Sequence, residues 1–185
     1  MDSGKIIYKV KNITEKQKEA TNLLIEKDIH PVMANLYILR GIKNFDEANL
    51  PKSLEPFSKL KGIEEAAKIL SQAILRNEKI CVVADYDVDG ATACAVAVRG
   101  LKMFGANVDF VVPDRFIHGY GLQPSVVDEA IKRKNPDLIV TVDNGVLSHA
   151  GIDYAQSKGI KVLVTDHHLP ATGKPLPPAE VLVNP

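Results

Sequence analysis

From residue 80 onward the chain repeats one pattern. A short apolar run is followed by a longer stretch in which apolar positions recur every three or four residues. The runs are ICVVAD (80–85), VDFVVP (108–113), LIVTVD (138–143) and KVLVTD (161–166), with helical stretches near 90–104, 124–133 and 147–158. Strands this short and this uniformly apolar are buried on both faces, and their alternation with helices gives a parallel sheet covered on either side. VLVNP, at 181–185, begins a fifth strand. Before residue 76 the pattern is helical instead. TEKQKEATNLLIEKD (14–28) spaces its apolar residues helically after a capping threonine, and PVMANLYILRGI (31–42) opens on a proline suited to a first turn. NFDEANLPKSLEPFSKL (44–60), broken by Pro51 and Pro56, reads as turns, and GIEEAAKILSQAILRNE (62–78) as an amphipathic helix. The expected fold is α/β: a parallel doubly wound sheet over 76–185 with an N-terminal helical extension over 1–75.

Composition narrows the setting. The chain has 185 residues, 45% of them hydrophobic, enough for one substantial core. Lys+Arg and Asp+Glu both number 23, so overall charge does not drive binding to nucleic acid, although a local basic groove can. No apolar run approaches the ~18 residues of a membrane span, and the opening MDSGKIIYKVKN lacks the apolar core of a signal peptide. Cys81 and Cys94 form no CxxC pair or metal-ligand cluster and read as buried thiols. A cytoplasmic protein is expected.

The chemistry lies where the strands end. The first runs into DYDVDG (85–90), the third ends in VDNG (142–145) and the fourth in TDHH (165–168). In open parallel sheets that edge is where ligands bind. A single aspartate there ordinarily caps the next helix, but capping does not account for so many acids together with a His-His pair. Two carboxylates ~4 Å apart repel by about 4 kcal/mol at an effective dielectric near 20, so something positive should offset the cost or one group should be protonated. An EF-hand calcium loop would need Glu at its twelfth position, where this chain has Val96. An aspartyl phosphatase would use Asp87 as nucleophile and Asp89 as acid, but leaves the histidines without a place. Carboxylates and imidazoles together suit Mn²⁺, Zn²⁺ or Fe²⁺ better than Ca²⁺; a hard all-oxygen set would suit Mg²⁺ equally, and a histidine ligand tilts the choice towards Mn²⁺. Two such ions about 3.5–4 Å apart make a hydrolytic centre for phosphoryl compounds.

With DYDVDG, VDNG and DHH in this order, the chain resembles the DHH phosphoesterase superfamily, and within it the RecJ-type 5′→3′ exonucleases specific for single-stranded DNA. LYILRGI (36–42), VPDRFIHGYGL (112–122) and TDHHLPATGKPLPPAEVLVNP (165–185) carry the likeness beyond the motifs, across roughly 30–185. The resemblance implies a metal-dependent enzyme of DNA repair and recombination that holds two Mn²⁺ ions. By the same resemblance Asp87, Asp89, Asp143 and His167 are metal ligands, and Asp143 bridges the ions. Asp85 ligates or orients the metal water, His168 contacts the scissile phosphate, and Asp166 accepts a hydrogen bond from a histidine. Arg115 and His118 are substrate-binding candidates, each with an ordinary alternative as a solvated loop residue. Tyr86 and Val88 are expected to pack away from the site. Lys132–Lys134 is read as a solvated helix end, where positive charge suits the dipole, and His30 and His149 receive no role. RecJ-like proteins continue with another catalytic aspartate, a DHH-associated domain and a nucleic-acid-binding domain. The resemblance therefore implies an N-terminal fragment lacking one ligand and one wall of the cleft. Two alternatives stay open: a phosphoesterase of short oligonucleotides, cyclic dinucleotides or pyrophosphate, and a non-catalytic DHH-like scaffold.

Overall fold

Two compact units make up the computed structural model, Met1–Glu55 and Pro56–Pro185, and the structure describes residues 14–42 and 56–185. In the first unit, helices α1 (Glu15–Ile25) and α2 (Pro31–Leu39) form a hairpin around Leu24, Ala34 and Ile38. Thr14 and Gln17 close a capping box at the start of α1, and Pro31 opens α2 behind a capping His30. Most of the 44–60 stretch read as turns lies outside the described residues; its end forms a 3₁₀ turn at Phe57–Lys59.

The second unit follows the strand–helix alternation. After α3 (Ile63–Leu75) come β1 (Lys79–Ala84), α4 (Val88–Met103), β2 (Asn107–Val111), α5 (Arg115–His118) and α6 (Pro124–Lys134). Then follow β3 (Leu138–Val142), α7 (His149–Ser157), β4 (Lys161–Thr165) and β5 (Val181–Val183). All five strands are parallel, in the order β2-β1-β3-β4-β5. The sequence expectation of a doubly wound sheet holds. Alternate strand residues point to opposite faces. Ile80, Val82, Leu138, Val140 and Leu163 meet Ala66 and Ala73 of α3 and Cys94 and Val98 of α4 on one face. Cys81, Val83, Ile139, Val162 and Val164 meet α6 and α7 on the other.

The sequence boundary at 75/76 and the structural one at 55/56 differ for a packing reason. The apolar face of α3 closes one side of the sheet, so α3 belongs to the sheet unit and the helical extension is shorter than periodicity suggests. The four-residue α5 was read as loop; it is too short to show a helical period, and Asp114 starts it by accepting the Phe116 N–H.

Register sets up the site. Ala84 pairs with Val142, Val142 with Thr165, and Thr165 with Val183. The residues one step beyond this aligned row are Asp85, Asp143, Asp166 and Asn184. The ladder continues through them: Asp143 N–H donates to the Thr165 carbonyl and Asp166 N–H to the Val183 carbonyl, both at 3.0 Å. β1 and β3 are neighbours, yet the chain leaves β1 for β2 on its far side. The order therefore reverses between β1 and β3, the place where such sheets open a crevice.

Candidate metal centre

Three strand ends put their acids into that crevice. One oxygen each from Asp85, Asp87 and Asp143 lie within 4.8 Å of one another, as do ligand atoms of Asp143, His167 and His168. Asp143 is the member common to both groups. It follows β3 directly and takes a left-handed backbone at φ 62°, a conformation aspartate tolerates better than most residues. Asn144 secures the neighbouring ends of β1 and β3 by donating to the carbonyls of Val83 and Val142, at 3.1 and 2.9 Å. Asparagine before glycine is ordinary turn chemistry in sequence, and VDNG alone does not mark this contact.

Asp87 is also the N-cap of α4, accepting the Gly90 N–H at 3.0 Å, so the ordinary capping use of a strand-end aspartate does apply here. Gly90 brings the helix start against β1. A Cβ at that position would collide with the backbone carbonyl of Asp85. The glycine of DYDVDG is thus required by the approach of two backbones rather than by chemistry.

The charges here are only partly compensated. Burial raises the Asp85 pKa above the carboxylate range and the charge of Asp87 adds to it, while His168 and Arg115 partly offset both. Asp143 is raised in the same way, by burial first and then by Asp87. Asp87 itself is lowered, chiefly by the Gly90 hydrogen bond. The Oδ2 of Asp143 is buried and finds no hydrogen-bond donor among the described residues. A buried carboxylate oxygen in that condition needs a positive partner. Three carboxylates and two imidazoles around it form a mixed oxygen–nitrogen donor set that fits a divalent cation of intermediate softness.

The histidines are held differently. His167 Nε2 lies 2.9 Å from Asp143 Oδ1, and its ring is well exposed. His168 turns the other way, its Nδ1 2.7 Å from Asp166 Oδ1. Asp166 is buried and fully engaged. Its Oδ2 accepts the Val146 N–H at 2.9 Å, and its Oδ1 accepts the N–H groups of His167 and His168 as well as the His168 ring. Burial pushes the Asp166 pKa up, but these hydrogen bonds outweigh it and hold the group below the usual range. In return the Asp166 contact raises the pKa of His168.

Tyr120 faces His168 edge-on, with ring centroids 5.9 Å apart. Burial and the charges of Asp85, Asp166, Asp143 and Asp87 push its hydroxyl up to about 12. Nothing in the pattern around Tyr120 marks it, since it sits between two glycines in a loop.

Not every candidate joins the cluster. Asp89 lies in the first turn of α4, outside both groups of converging ligand atoms, but lines a cavity of about 690 Å³ with Asp143 and His167. His118 is directed toward α6, where its Nδ1 lies 3.0 Å from Ser125 Oγ. Arg115 sits over the ring of Tyr86 at 4.4 Å and also bonds its hydroxyl. Tyr86 does not pack away as expected, being 41% exposed beneath Arg115, and Val88, the first residue of α4, is 76% exposed. The lysines and arginine of 132–134 occupy the last turn of α6, where Arg133 reaches Asp109 at 3.5 Å. Cys81 and Cys94 are buried free thiols.

Comparison with known proteins follows this geometry. Residues 79–185 match the model of the DHH family, N-terminal domain. The single-stranded-DNA-specific exonuclease RecJ of Escherichia coli K12 is 46% identical over 160 residues, covering 85% of this chain and 27% of that protein. A crystal structure of exonuclease RecJ bound to manganese superposes with a TM-score of 0.62 at 42% identity, covering 68% of this chain and 31% of that one. RecJ from Thermus thermophilus in complex with Mn²⁺ gives 0.61 at 35% identity, over 91% of this chain and 23% of that one. The chain thus spans about a quarter of the length of the curated relatives it matches. Among the described residues no helix is long and apolar enough to cross a membrane.

Proposed function

The chain belongs to the DHH family, and on that premise we propose that it carries part of the catalytic core of a metal-dependent exonuclease that hydrolyses single-stranded DNA from its 5′ end. One observation carries the reading. Asp143, with a buried oxygen that has no hydrogen-bond donor among the described residues, joins two groups of converging ligand atoms at the ends of β1, β3 and β4. Asp85, Asp87, Asp143 and His167 would hold Mn²⁺, or Mg²⁺ in its place, with Asp89 completing the set from α4. The Mn²⁺-bound relatives support this choice of metal. Bound there, the metal supplies a deprotonated water near neutral pH and neutralises charge on the phosphoryl oxygens.

The residues of the chain supply the rest. Asp166 holds the His168 ring through Nδ1 and raises its pKa, which favours the imidazolium form as a donor to a phosphate oxygen. Arg115 offers a planar fork for a second phosphate contact. His118 belongs to the substrate side of this reading, through the short helix α5 it shares with Arg115. The reading extends to a cytoplasmic protein of DNA repair and recombination. It also includes the DHH-associated and nucleic-acid-binding domains as partners that complete the cleft, supported by the greater length of the relatives.

Calorimetric titration with Mn²⁺ tests it. The chain is expected to bind Mn²⁺, and Asp143→Asn to bind it at least about tenfold more weakly. Hydrolysis of a long 5′-phosphorylated single strand is then compared with that of a dinucleotide. A faster rate on the dinucleotide replaces the polymer with a short substrate. Absence of Mn²⁺ binding by a folded chain overturns the reading.

A further inference from the structure

We propose that Tyr86 is a positioning residue for Arg115, holding its guanidinium at the rim of the acidic cluster so that it meets a substrate phosphate in a fixed orientation. The inference deepens the function proposed above and rests on it, because that function gives Arg115 a phosphate to meet.

The two residues come from different elements, Tyr86 from the turn after β1 and Arg115 from the start of α5, 29 positions apart. Two separate attractions join them. The guanidinium carbon lies 4.4 Å from the centre of the tyrosine ring, and a guanidinium N–H donates to the tyrosine hydroxyl. Both partners have fixed backbones. Tyr86 N–H donates to Asp85 Oδ1 at 2.8 Å, tying the backbone that carries the ring to an acid of the cluster. Asp114 accepts the Phe116 N–H at 2.9 Å and so fixes the backbone from which Arg115 projects.

Arg115 makes no ion pair with a carboxylate of the described residues, although Asp114 is its immediate neighbour. An ordinary surface arginine would spend its fork on such an acid. Here the fork is held by an uncharged partner, which leaves the full positive charge available to an anion. That charge is felt by the cluster, where it lowers the Asp85 pKa against the effect of burial. An arginine held this way loses less conformational freedom on gripping a phosphate than a free one does. Tyr86 lies between Asp85 and Asp87 in sequence. One strand end therefore sets both the acids and the distance at which the arginine stands from them.

A double-mutant cycle tests this, reading affinity for a 5′-phosphorylated, hydrolysis-resistant phosphorothioate single strand in Mn²⁺. Arg115→Ala and Tyr86→Ala are each expected to weaken binding about tenfold, and Tyr86→Phe, which keeps the ring, about threefold. The double variant should bind no more weakly than Arg115→Ala alone, and Mn²⁺ affinity should not change in Tyr86→Phe, which keeps the arginine. Tyr86→Ala weakening the strand equally with and without Arg115 overturns the inference and leaves the proposed function standing. Loss of Mn²⁺ affinity in Tyr86→Phe does the same, by assigning Tyr86 to the metal centre. Equal strand binding by the parent and Arg115→Ala overturns the phosphate role of Arg115 and this inference together.

Discussion

One sheet has two ends, and they treat their acids in opposite ways. At the end where the strands begin, Asp137 is answered on every side. Its carboxylate accepts the Lys79 N–H at 2.7 Å, its own N–H donates to the Lys79 carbonyl, and its carbonyl accepts from Lys161. Glu78 beside it faces Lys161 at 3.4 Å and Arg76 at 3.8 Å. At the end where the strands finish, Asp85, Asp87 and Asp143 face one another, and the positive groups near them are two histidines and an arginine held by a tyrosine. The backbone shows the same division. Asn77 and Asn135 take left-handed conformations where helices stop, an ordinary helix ending, whereas Asp143 takes one straight after a strand. Acids at the first end are used to close the fold. Those at the second are left with charge over, which is the condition for holding a cation.

Asp143→Asn breaks the comparison hardest. It should weaken Mn²⁺ at least about tenfold and yet cost the metal-free fold no stability, because a carboxylate whose charge is disfavoured by burial and by Asp87 is removed. Calorimetry and thermal unfolding read the two effects separately. Gly90→Ala comes next. A methyl driven against the Asp85 carbonyl should cost about 2 kcal/mol and lower metal affinity together with stability, measurable by urea unfolding and titration. Asp137→Ala sharpens the contrast from the other end. It should cost about 1 kcal/mol through the lost Lys79 bond and leave Mn²⁺ affinity unchanged.

The smallest effect concerns Cys81, inside β1 between the two ends. Burial raises its thiol from the ordinary 9.0 to about 12, so the folded chain keeps a proton that the unfolded chain loses. Its contribution to stability is complete below pH 9 and falls as the pH rises from 9 toward about 12. Alkylation at neutral pH should therefore require unfolding, and Cys81→Ala should flatten the alkaline loss of stability.

The sheet was legible because its strands are uniformly apolar and short, and the acids were legible because they follow those strands immediately. ICVVAD and LIVTVD fix where β1 and β3 finish, and register then carries Asp85 and Asp143 to one level without any further information. What pattern could not supply is contact between loops. Tyr86 reads as a spacer between two aspartates, and only the meeting of α5 with the turn after β1 shows what its ring touches. Tyr120 and Asn144 are the same case. The helix over 62–78 was read with its apolar face, but periodicity does not say against which surface that face packs, and α3 consequently belongs with the sheet.

The aligned row beneath Asp85, Asp143 and Asp166 has a mechanical consequence. Neighbouring parallel strands stand about 4.8 Å apart, and the three acids inherit that pitch like teeth of a comb. Loops can lengthen or shorten around them without changing the pitch, because hydrogen bonds through Asp143 N–H and Asp166 N–H carry the ladder up to the teeth themselves. Insertion of one residue within β3 would displace a tooth by a whole step and turn its carboxylate to the opposite face. The chemistry is thus tolerant of change along the loops and intolerant of it along the strands.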